Sequence, residues 1–123
     1  MIIGKLQEVV EQFRETAGGG LIACDIWGPD GLSLAGYNPH PEAVALFADI
    51  TSRLRQALST SGFPTLGRYY LLELENHKMV CVMLFEDHQW GCLIDLRFIV
   101  MGKLIQRALP QALEGLRAAL AQR

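Results

Sequence analysis

The chain has 123 residues, half of them hydrophobic, 20% charged, with a net charge of -2 and three cysteines. That length suits a single domain over residues 1–123, large enough to bury roughly two thirds of its unfolded surface. The slightly acidic balance leaves no cationic field for nucleic acid, and no apolar run reaches the roughly 18 residues that would insert into a membrane.

Ile2, Ile3, Leu6, Val9, Val10, Phe13 and Ala17 recur at helical spacing, while Lys5, Glu8, Glu11, Gln12 and Glu15 take the opposite side. This predicts a first helix with one buried stripe. Its start lacks the basic residues, apolar stretch and cleavage site of a secretory signal, so the expected compartment is the cytoplasm. Gly18-Gly19-Gly20 should end the helix, because glycine accepts the left-handed conformation of a helix C-terminus. The same run could offer backbone N–H groups to an anion, but a phosphate loop needs a Gly-Lys-Ser/Thr ending and a following helix.

Leu21 to Trp27 and Leu32 to Tyr37 are β-compatible and flank Gly28-Pro29-Asp30-Gly31, so they read as a hairpin. Asn38-Pro39-His40-Pro41 breaks the second strand and opens a helix predicted from Pro41 to Ser59. On that second helix Ala43, Phe47, Ile50, Leu54 and Leu58 form a stripe able to dock on a sheet. A second line, Val44, Ala48, Thr51 and Arg55, lies roughly 80–100° further round at about 100° per residue. The combined arc is wider than one sheet contact needs. Either a second packing partner covers the surplus, or a loop or another helix of the same chain does.

Ser59 to Gly67 is rich in turn formers and reads as a loop. Strands are predicted at Arg68 to Glu75, Met79 to Phe85 and Trp90 to Arg97, with turns so short that neighbours must be antiparallel. Met79 to Phe85 is apolar on both alternating faces and should lie inside a sheet covered on both sides. The half-polar run containing Tyr69, Tyr70, Leu71, Leu72, Glu73 and Leu74 fits a strand nearer the edge. A last helix is predicted from Ile99 to Ala121, with Pro110 forcing a kink or a fresh start.

Few residues suggest chemistry. Cys24, Cys81 and Cys92 are odd in number and sit in apolar strands, which favours small core residues over disulfides or zinc ligands. His40, His77 and His88 fall in predicted loops or turns, without metal-binding spacing. Asp25 and Asp95 lie within apolar strands; they invite an acid/base hypothesis, or they are satisfied by local hydrogen bonds. No catalytic residue, cofactor site or metal site is assigned.

The order helix, hairpin, helix, three-strand meander, helix resembles the roadblock/LC7 family of dynein light chains and bacterial regulators of Ras-like GTPases. The hairpin Gly20 to Asp25 leading to Asp30 to Ala35, and the stretch Val100-Met101-Gly102-Lys103-Leu104, carry the resemblance locally. It implies an α+β, profilin-like α-β-β-α-β-β-β-α fold. The five-stranded antiparallel sheet would run in the order 2-1-5-4-3, between helix 2 and helices 1 and 3. It also implies a non-enzymatic homodimer built by the second helices and third strands. Val44, Ala48, Thr51, Arg55, Tyr69, Leu71 and Glu73 are the expected interface residues. The implied partner is a Ras-like small GTPase, in a system such as cell polarity or motility. Activating members can carry a tail beyond the third helix, and this sequence ends at Arg123. Another roadblock-family protein or adaptor is therefore an equally expected partner. A different class of function, a small-ligand sensor, would use Trp27, Tyr37, Tyr69, Tyr70 and Trp90 to line a pocket.

Overall fold

The structure, a computed structural model, describes residues 2–121. Helix α1 (Ile2–Ala17) buries Leu6, Val9, Val10, Phe13 and Ala17, whereas Ile3, in its first turn, faces solvent. A 3-10 turn at Gly18–Gly20 follows. Gly18 has a φ of +59°, and a Cβ on Gly20 would sit 2.5 Å from the Ile99 methyl, so only hydrogen fits there.

Strand β1 (Leu21–Trp27) and strand β2 (Ser33–Tyr37) form the hairpin. Its turn closes through the Gly31 amide donating to the Gly28 carbonyl at 3.0 Å, and the Leu32 amide donates to the Asp30 carboxylate at 3.1 Å. The turn therefore claims Leu32, and β2 begins one residue later than the sequence suggests. Helix α2 (Pro41–Thr60) is followed by strands β3 (Tyr69–Leu74), β4 (Lys78–Phe85) and β5 (His88–Asp95). Glu75, Asn76 and His77 link β3 to β4; Asn76 and His77 have φ values of 61° and 62°, and the Lys78 amide donates to the Glu75 carbonyl to close the turn.

The five strands form one antiparallel sheet in the order β2-β1-β5-β4-β3, as the resemblance implied. Cross-strand register fixes the two faces. Met79, Cys81 and Met83 point with Cys92, Ile94 and Trp90 toward α1 and the C-terminal helix. Val80, Val82 and Leu84 point to the other face, toward α2. Both sets are buried, so β4 is covered on both sides as its apolar pattern predicts.

Beyond β5 come a single turn of helix α3 (Met101–Lys103), a π-helical stretch (Leu104–Ala108) and helix α4 (Leu109–Leu120). Pro110 sits in the first turn of α4, where its missing N–H is harmless. The wide turn just before it lets the chain pass the proline ring without ending the helical run.

The two layers differ in thickness. Between the sheet and α1 with α4 lies a large core, which includes Leu6, Val10, Phe13, Trp90, Leu104 and Leu116. Phe13 meets Trp90 edge-on at 5.3 Å. On the α2 face the buried cluster is Val80, Val82 and Leu84, with Phe47, Leu66, Tyr70, Leu72 and Leu93 only partly covered.

Candidate interaction surface

The thin layer leaves apolar surface in contact with water, as do Leu32 at the hairpin turn and Phe98, Val100 and Met101 after β5. Helix α2 docks along Val44, 3% exposed, and Thr51, 0% exposed. The Thr51 hydroxyl lies 2.7 Å from the Tyr70 hydroxyl on β3. Burial raises the Tyr70 phenol above its usual value, partly offset by the Thr51 bond and the nearby Arg55 charge. At the other end of the helix, the His40 amide donates to Asp25 on β1 at 3.1 Å. The helix is thereby held at β1 and β3 and spans the sheet between them.

This rotation corrects one sequence expectation. Val44 and Thr51, which the family resemblance implied would face a partner, are seated on the protomer's own sheet. Ala48 and Arg55 beside them are half-buried. The uncovered apolar shoulder is the other one. At about 100° per residue, Phe47, Leu54, Ala43, Ile50 and Leu46 lie roughly 60–160° round from Val44. All but Leu46 are half-buried, and Leu46 is 53% exposed. Of the stripe expected to dock on the sheet, Phe47 does pack against Val80, Val82 and Leu84, and Ala43 lines the space beneath the helix with it, whereas half-buried Ile50 and Leu54 lie further round toward Leu46.

Strand β3 is one edge of the sheet. Its residues alternate as expected, but the sides matter. Tyr69 and Leu71 pair with Met83 and Cys81 and pack, half-buried, on the α1/α4 core, and Glu73 is exposed. Leu72 and Leu74 point to the α2 face, where Leu74 is 44% exposed. A partner reaching β3 would meet its backbone edge together with Leu72, Leu74 and the α2 shoulder.

Between the first half of α2 and the sheet lies a cavity of about 510 Å³. Ile22, Ala43, Val44, Phe47, Val80 and Leu93 supply most of its apolar wall, and Asp25, His40 and Glu42 line it with Trp27. Of the aromatic residues proposed for a ligand pocket, Trp27 lines this cavity, whereas Tyr37 and Tyr69 pack on the opposite core and Trp90 lies within it. Tyr70 faces the α2 side but is not part of the lining.

The remaining chemical candidates are each accounted for. Asp95 is held by Arg97 through two side-chain bonds of 3.0 and 2.7 Å, with Lys78 at 3.7 Å. Those bonds from the guanidinium hold its carboxyl well below the usual range. Asp25 accepts from Ser33 Oγ at 2.7 Å and from the His40 amide. It pairs with Gly91, four residues from Asp95 along β5, roughly 13 Å at 3.3 Å per residue, so the two carboxyls do not form one site.

His88, expected in a turn, opens β5 and is buried, 2.8 Å from Asp87. Among the described residues, no three His, Cys, Asp or Glu side chains are grouped to hold a metal. The three cysteines are buried and free. Register places them in one row, Cys24 beside Cys92 beside Cys81, which their distant positions in the sequence concealed.

No family model matches the sequence, and no curated protein matches it. Solved structures do. Myxococcus xanthus MglB aligns with a TM-score of 0.82 at 10% identity, over 98% of this chain and 90% of that one. The gliding protein MglB from Thermus thermophilus gives 0.80 at 15% identity, over 100% and 93%. A Roadblock/LC7 domain from Streptomyces avermitilis gives 0.66 at 12% identity, over 94% and 97%. With its 2-1-5-4-3 sheet between one helix and a helical pair, the chain has the roadblock/LC7 fold.

Proposed function

We propose that this chain is a non-enzymatic regulatory module that acts as a homodimer in a Ras-like GTPase system, of the kind that serves cell polarity or motility. It binds the GTPase itself or a roadblock-family regulator of it. The observation that carries the reading is the bare shoulder of α2 lying beside the sheet edge at β3, with Leu46, Ile50, Leu54, Leu72 and Leu74 left in partial or full contact with water. Patches of this kind mark interaction sites on small proteins. A two-fold axis near β3 would pair the edge backbones and bring the two α2 shoulders together.

The likeness to a gliding protein supports the motility setting. The revised contact set keeps Tyr69, Leu71 and Glu73 through the β3 backbone, and Ala48 and Arg55 at the margin. It moves the apolar centre from Val44 and Thr51 to Leu46, Ile50 and Leu54. The engagement of Asp95 by Arg97 supports a structural role for that carboxyl. Among the described residues no helix is long and apolar enough to cross a membrane, and the reading assigns the protein to the cytoplasm.

Light scattering at tens of micromolar, followed by binding to the Ras-like GTPases of the native host in GDP and GTP-analogue forms, tests both halves. A dimer that retains one GTPase, or the roadblock protein bound to it, supports the reading. A monomer at that concentration sinks the assembly, and failure to retain any of these partners sinks the regulatory role.

A further inference from the structure

We infer that the cavity beneath the first half of α2 binds a small organic ammonium compound with an apolar body, an alkylamine or arylalkylamine. The site lies within one protomer and goes beyond the self-association proposed above. Its volume, about 510 Å³, falls in the range of small-molecule sites, which are mostly apolar with a few polar groups that set orientation. Ile22, Ala43, Val44, Val80 and Leu93 form the apolar wall.

Asp25, Glu42, His40, Trp27 and Phe47 also line it, two carboxylates against one imidazole, and no lysine or arginine does. Carboxylates beside aromatic faces are the chemistry that recognises ammonium groups. Asp25 is only 5% exposed, and its hydrogen-bond partners, the Ser33 hydroxyl and the His40 amide, are both neutral. Among the described residues those two neutral donors are joined by no ion-pair partner, so the carboxylate has room for a cationic one. An ammonium head supplies that partner and its apolar body fills the rest. A fatty carboxylate would meet Asp25 and Glu42 with like charge. A metal ion would find too few ligands, since no group of three suitable side chains exists among the described residues.

The test uses the full chain with decylammonium chloride, decanol and sodium decanoate, each below its micelle-forming concentration, by calorimetry and thermal shift. Decylammonium should bind saturably, one per chain, and raise Tm; decanol should bind about tenfold more weakly, and decanoate should give no signal. Asp25→Asn should abolish the preference for the amine over the alcohol. Should that variant fail to fold, Glu42→Gln at the exposed mouth should weaken amine binding and leave decanol unchanged. Ala43→Phe, which narrows the cavity, should weaken both ligands.

Absence of amine binding, equal affinity for amine and alcohol, or binding unchanged by Ala43→Phe would overturn the proposal. A side chain of a second copy lodged in the cavity gives the first of these results. Light scattering on the same samples separates the two proposals. Amine binding by a monomer removes only the dimer, and a dimer that ignores the amine removes only this site.

Discussion

The hydroxyls of Thr51 and Tyr70 lie 2.7 Å apart and join the middle of helix α2 to the edge strand β3. Thr51 has no solvent exposure, so its hydroxyl depends on the protein for partners. Tyr70→Phe should therefore cost about 1–3 kcal/mol in a denaturant titration, the penalty of a buried polar group stripped of its bond. Adding Thr51→Val removes the orphaned hydroxyl and should recover part of that loss. Additive single costs would show that the two groups act independently.

Val44 and Leu46 are two residues apart and should respond in opposite ways to the same charge. Val44→Asp puts a carboxylate against the sheet and should destabilise the protomer by about 3 kcal/mol or more. Leu46→Asp, on the bare shoulder, should leave Tm within a few degrees and weaken self-association by about tenfold, or roughly 1.4 kcal/mol. Sedimentation of both variants beside thermal melts checks the pair. Leu46→Asp that remains as dimeric as the parent chain would remove the α2 shoulder from the interface.

Asp95 makes stability depend on acid. The bonds from Arg97 lower its folded-state value below the unfolded one, so the unfolded chain binds the proton more readily. The contribution is complete above the ordinary carboxylate range, near pH 4. It is lost as pH falls through the depressed folded value. Asp95→Asn should thus lose less stability than the parent chain on acidification from roughly pH 6 to pH 2. Parallel pH dependences would argue against the ion pair as a source of acid sensitivity.

Gly20 packs so close to Ile99 that a Cβ would stand 2.5 Å from its methyl carbon. Gly20→Ala should cost about 1–3 kcal/mol, the usual penalty of overpacking. Gly4→Ala is a useful control, because nothing lies within 4 Å of its Cβ position. In the exposed first part of α1 it should be neutral or mildly stabilising.

The thiols should resist modification in the folded state. Burial pushes Cys81 up to about 12 and Cys92 well above its usual value. Cys24 moves down, chiefly through a bond from Cys92, but it is equally buried. Labelling by a thiol reagent near neutral pH should therefore follow global unfolding, with all three sites modified together in rising denaturant. Rapid labelling of Cys24 alone in buffer would reveal local opening of β1 from β5.

Much of this protein is legible in the order of its residues. The stripe of α1, the two-sided apolar run of β4 and the turn at Gly28 to Gly31 each follow from a period or a dihedral preference within one segment. Pro110 likewise announced a disturbance, which became a π-helical stretch that carries the helix past the ring.

The tertiary structure decided what lies between segments. Periodicity gives the angle from Val44 to Phe47 on α2, but both lines are apolar enough to dock. The helix's rotation follows its attachments to Asp25 at its start and to Tyr70 at its middle. Strand register likewise drew Cys24, Cys92 and Cys81 into one row. The cavity lies between the first half of that helix and the strands carrying Val80 and Leu93, a space no single segment specifies. Local sequence specifies each element's faces; only packing elements against one another determines which face is satisfied and which remains for a partner.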